Sequence, residues 1–107
     1  MAEGPIDARV FENPHGFEVR PHDVFKRSGD EFRLLNNTGS TVLVSFPRLP
    51  MDPAKAEIAP GRCQVFRILQ TAPGIYDYWV EIPLTDRTRD LTLRARGGSD
   101  PQIIIDF

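Results

Sequence analysis

Ten prolines and eight glycines interrupt this 107-residue chain so evenly that no apolar stretch grows to the length of a good helix. Proline lacks the N–H that a helix interior needs, and glycine costs about 1 kcal/mol there relative to alanine. The short pieces left between them alternate apolar with polar side chains, which is the period of a strand with one buried face. A chain of this length makes one domain and buries roughly two-thirds of the surface it exposes when unfolded. About eight strands at short, turn-punctuated spacing predict an all-β fold, a Greek-key sandwich or barrel.

Residues 1–7 carry no apolar pattern and read as a flexible lead, leaving 8–107 as the single domain. Ala8-Arg9-Val10-Phe11-Glu12 and Gly16-Phe17-Glu18-Val19-Arg20 are strands flanking the turn cluster Asn13-Pro14-His15-Gly16. Pro21 confines the second of them to a sheet edge or to a switch between sheets. Asp23-Val24-Phe25-Lys26-Arg27 leads into a turn at Ser28-Gly29-Asp30. The strands Glu31-Phe32-Arg33-Leu34-Leu35 and Thr41-Val42-Leu43-Val44-Ser45-Phe46 flank the turn formers Asn36-Asn37-Thr38-Gly39 and are predicted to be adjacent. Four prolines make 47–60 the longest loop, with room for one helical turn over Asp52-Pro53-Ala54-Lys55-Ala56-Glu57. A strand over residues 62–69 follows.

Pro73-Gly74 then starts a strand with Tyr76, Tyr78, Val80 and Ile82 on one face and Asp77 and Glu81 on the other. Beyond it a hairpin with a charged tip at Asp86-Arg87-Thr88 returns through Asp90-Leu91-Thr92-Leu93-Arg94-Ala95. Gln102-Ile103-Ile104-Ile105-Asp106-Phe107 is a continuous apolar run, typical of a strand buried on both faces.

Thirteen basic against fifteen acidic residues supply no excess positive charge for neutralising phosphates, which argues against a nucleic-acid partner. The arginines are interspersed with acids, as in Asp86-Arg87-Thr88-Arg89-Asp90, the pattern of a solvated face. No stretch reaches the ~20 apolar residues of a membrane span. Met1-Ala2-Glu3-Gly4 lacks the basic and apolar regions of an export signal. The single cysteine, Cys63, rules out an internal disulfide and reads as a small buried hydrophobe.

Three motifs follow one another in an informative order. Ser28-Gly29-Asp30 precedes a strand ending in Asn36-Asn37-Thr38-Gly39, Ala59-Pro60-Gly61 opens the next, and Pro73-Gly74-Ile75-Tyr76-Asp77-Tyr78 opens a third. Together they resemble the cupredoxin family, the Greek-key sandwiches that include plastocyanin, over roughly residues 17–80 with 103–107 as a closing strand. The resemblance implies a copper held by two histidines, a cysteine and a weak axial methionine. It puts the first histidine near Val42 and the cysteine at Val80, with the remaining ligands after it. No histidine or methionine occurs beyond Val80. What the resemblance then implies is a metal-free domain without a cofactor or blue-copper electron transfer, acting as a protein-interaction or assembly module. Its relatives are mostly exported, whereas this sequence shows no export signal.

A protein partner or self-association through an exposed edge strand is expected on that reading. Trp79 is the first candidate contact residue, exposed if its face is left open and covered if the hairpin over 84–95 folds across it. Phe46, Leu49 and Met51 at the proline-rich loop form the second candidate surface. His15 and His22 flank a short strand, with Asp23 beside the second, and are the alternative: a metal site of non-standard ligands. Tyr76 is expected to stabilise the fold by bonding its hydroxyl to backbone at a corner. No phosphate-cradling glycine loop, carboxylate pair or nucleophile elbow is present, so no enzymatic activity is expected.

Overall fold

Alternating burial is the rule along this backbone, and it persists through places where the chain changes sheet. The computed structural model describes residues 5–14, 16–83, 92–94 and 101–106. Its strands are β1 (Ala8–Asn13), β2 (Gly16–Arg20), β3 (Asp23–Arg27), β4 (Glu31–Asn37), β5 (Val42–Ser45) and β6 (Met51–Asp52). They continue with β7 (Lys55–Ile58), β8 (Cys63–Ile68), β9 (Gly74–Asp77), β10 (Trp79–Pro83), β11 (Thr92–Arg94) and β12 (Gln102–Asp106). The described residues contain no helix, and therefore none long and apolar enough to cross a membrane.

Among the described residues the strands form three sheets. The largest runs β2-β1-β4-β8-β6, with β1 and β4 parallel and the other pairs antiparallel. The second, β11-β10-β5-β7, is antiparallel throughout. In the third, β12 lies between β3, to which it is parallel, and β9, to which it is antiparallel. Pro21 and His22 carry the chain from the first sheet to the third, matching the switch that proline predicts. β2 is an edge strand, as a following proline requires.

Among the described residues twelve strands stand where the sequence suggests about eight: Asp23–Arg27, read from the sequence only as a lead into a turn, is itself the strand β3, and the remaining excess has two sources. The proline-rich loop contributes β6 and β7, and the strand opened by Pro73-Gly74 is divided. Its parts β9 and β10 belong to different sheets and are separated by Tyr78 alone. The inward face is nevertheless as the alternation predicts, with Tyr78 and Val80 buried and Tyr76 and Ile82 packed against the core. The helical turn over Asp52 to Glu57 does not form. Lys55–Ile58 instead pairs antiparallel with β5, which lets Ile58 enter the core. β4 and β5 are not neighbours either: the Asn36–Gly39 turn carries the chain from the largest sheet to the second.

That turn is held by Asn36, whose amide is completely buried. Its Nδ2 donates to the carbonyls of Ser40 and Ile58 at 2.8 Å each, and its Oδ1 accepts from the Thr38 N–H at 3.0 Å and hydroxyl at 2.7 Å. Its own backbone bonds Arg62 and Gly61. Gly61 follows Pro60 in a turn closed by the Arg62 N–H donating to Ala59 O, and its φ of 76° is the backbone that the third position of a type II turn requires. The Pro-Gly and Asn-Asn motifs thus meet in one knot.

An aromatic cluster joins the sheets across the core. Phe32 of β4 stands 5.4 Å from the Tyr78 ring in edge-on geometry, and Phe46, just past β5, stands 4.8 Å from Phe66 of β8. Asp7, which its sequence assigns to the lead, belongs to this fold. Its backbone N–H donates to Arg33 O, its carboxylate accepts from the Arg33 N–H, and it pairs with Lys26 at 2.9 Å.

Candidate functional site

The positions where the family resemblance puts two copper ligands hold valines inside the core. Val42 and Val80 are buried on the neighbouring strands β5 and β10, with Val80 directly opposite Val44. Valine has no electron pair to offer a metal, so this end of the core is apolar where a copper centre would need thiolate and imidazole. His22 is part-exposed, and its Nδ1 lies 2.6 Å from Asp23 Oδ1. His15 lies outside the described residues. Among the described residues, no group of three or more histidine, cysteine or acidic side chains is placed to hold a metal ion.

The proline-rich loop does not offer the surface expected of it. Phe46, Leu49 and Met51 are only 6 %, 2 % and 5 % exposed, because β6 pairs with β8 and turns the loop's apolar side chains into the core. Trp79 is half-buried on β10 opposite Ser45. The tip of the hairpin expected to cover it lies outside the described residues; its base is the antiparallel pairing of β10 with β11. Cys63 is exposed rather than buried, since at the first position of β8 it points away from the face carrying Phe66 and Ile68.

The two tyrosines have opposite fates. Tyr76 donates its hydroxyl to Ala72 O at 2.7 Å, four residues upstream, and Thr71 Oγ1 lies 3.3 Å from it, so the corner role is fulfilled. Tyr78 is buried among Phe32 and Phe46, and its hydroxyl has no hydrogen-bond partner among the described residues. Burial pushes the phenol well above its ordinary pKa, and the negative charge of Asp7 adds to the shift. A phenol so reluctant to ionise, with no proton acceptor, is unsuited to acid–base chemistry.

The site that emerges instead lies on the outer face of the three-stranded sheet. Register places Ile104 of β12 directly between Phe25 of β3 and Ile75 of β9. Cross-strand partners project to the same face, so the three form one apolar row across the sheet. Phe25 is 70 % exposed and Ile75 64 %, and Ile104 between them is part-exposed. Val24, Ile103 and Ile105, on the other face of the same strands, are buried. The expectation that the Ile103–Ile105 run is covered on both sides is therefore corrected, because Ile104 faces outward into the row. An open depression of ≈ 250 Å³ continues the row at one end, lined by Phe25, Lys26, Arg27, Asp30 and Asp106.

Sequence reasoning passed over this row, although a signal for it exists. Asp23-x-Phe25-x-Arg27 and Gln102-x-Ile104-x-Asp106 each set one large apolar residue between polar ones on the outward phase. A single such strand is unremarkable, and the meaning appears only when register aligns them. Compared with protein families, with curated proteins and with solved structures, the chain shows no match.

Proposed function

We propose that this chain is a protein-interaction or assembly module: a cupredoxin-like β-sandwich that holds no copper and catalyses no reaction of its own. The observation that carries the reading is the row of Phe25, Ile104 and Ile75, large apolar side chains held in register on an outer sheet face and left toward water. Contiguous exposed apolar surface on a soluble domain marks a contact site far more often than scattered exposed residues do. Two further features support the rest of the reading, the first its Greek-key sandwich and the second its lack of copper. The strands cross repeatedly between sheets, as Greek-key connections do, and Val42 and Val80 fill with methyl groups the places where the family's ligands would stand.

Metal loading tests the proposal against its rival. Purified protein equilibrated with copper or zinc and then desalted should retain no metal. Near-stoichiometric retention, abolished by His15→Ala or His22→Ala, would replace the module with a metalloprotein.

A further inference from the structure

We infer that the row of Phe25, Ile104 and Ile75 is the contact between two copies of this chain, stacked face to face about a two-fold axis running along the row. The inference rests on the module reading and names its partner. Charges on the two sides of the row are unlike. On one side the register aligns Asp23, Gln102 and Asp77; on the other it aligns Arg27 with Asp106. A second copy turned about the row sets each strand against its own twin in the opposite direction. Phe25 then meets Phe25, Ile104 meets Ile104 and Ile75 meets Ile75. Each Asp23 faces Arg27 across the contact and each Gln102 faces Asp106, and the symmetry makes both contacts twice.

The alternative stacking, turned about the strand direction, also brings the row onto itself. It would oppose Asp23 to Asp77 and Asp106 to Asp106, like charges that disfavour the wrong register. The charge pattern therefore selects one arrangement. Strand-to-strand joining at the sheet edge, expected from the sequence, is discouraged on β3 by Lys26, an inward-pointing charge tied to Asp7 at 2.9 Å.

The contact is small. Phe25 and Ile75 offer about 300 Å² of apolar surface, against the ~800 Å² per partner of a standard stable complex. Each interfacial charge also has a local competitor, since His22 Nδ1 lies 2.6 Å from Asp23 Oδ1 and Asp106 is the register partner of Arg27. The dimer is consequently weak and sensitive to both concentration and salt.

Sedimentation velocity between about 10 µM and about 1 mM protein spans the range in which contacts of this size assemble. Monomer should convert toward dimer as concentration rises and revert in high salt. Asp23→Arg and Arg27→Asp should each weaken association at least tenfold, the double charge reversal should recover it, and Phe25→Ser should remain monomeric. All these side chains are exposed, so an unchanged circular dichroism melt controls for folding. A wild-type chain that stays monomeric throughout would overturn the inference. So would a double reversal that fails to recover what the single reversals lose. Hydroxyl-radical footprinting of the dilute monomer separates this failure from that of the module reading. Labelled Phe25 and Ile75 in a persistent monomer would leave the face open to a different protein, whereas protected side chains would remove both readings.

Discussion

Replacing Tyr78 by phenylalanine isolates the contribution of one buried oxygen. The hydroxyl has no hydrogen-bond partner among the described residues, and a buried polar group in that state costs about 1–3 kcal/mol relative to solvation by water. The ring itself is well used, with Phe32 and Phe46 centroids both at 5.4 Å, and phenylalanine keeps those contacts. Tyr78→Phe should thus stabilise the fold by about 1 kcal/mol or more, raising Tm by at least about 4 °C in a domain of this size. Alkaline pH enlarges the difference. The folded phenol, raised by burial and then by Asp7, keeps its proton after the unfolded phenol loses it near pH 10. The native state then binds more protons, so its stability is intact below about pH 10 and falls by up to about 1.4 kcal/mol per pH unit above it. Urea denaturation of both proteins at neutral pH and between pH 10 and 11 measures this, with the variant losing less at high pH. A variant less stable than the parent at neutral pH would refute the reasoning, because the oxygen would then be accepting or donating a real hydrogen bond.

Asn36→Ala should be among the most damaging single changes, at about 3–5 kcal/mol in denaturant titrations. It removes four side-chain hydrogen bonds worth about 1 kcal/mol each and strands the carbonyls of Ser40 and Ile58. Tyr76→Phe, chemically the same substitution as Tyr78→Phe, should have the opposite sign, costing about 1 kcal/mol in the same titration through the lost bond to Ala72 O.

Local alternation was enough to read most strands, their inward faces and the all-β class from the sequence. β2 at an edge followed from Pro21, and the corner bond of Tyr76 from its place after Pro73-Gly74. Pairing was not legible, because it depends on contacts between distant segments. β4 and β5 alternate just as adjacent strands would, yet the turn around Asn36 sends them to different sheets. Lys55–Ile58 follows Pro53, the proline of a helix start, and its pairing with β5 overrides that local signal. The row on the outer face was hidden for the same reason. Phe25, Ile75 and Ile104 are far apart in sequence, and each one alone is an ordinary exposed hydrophobe. Cys63 was misplaced by residue-type averages that ignore which side of its strand it occupies.

The central position of β12 in its sheet has a consequence for how the protein is made. β3 and β9 do not pair with each other; among the described residues each is joined only to β12, which is synthesised after both. Until residues 102–106 have left the ribosome, two short strands bearing Phe25 and Ile75 have unpaired edges as well as apolar side chains in contact with water. Such nascent segments are the preferred substrates of chaperones and the common seeds of aggregation. Because the parallel pairing of β12 with β3 joins residues 79 positions apart, Asp23 with Gln102, this sheet should be the last to form and its completion should set the pace of folding.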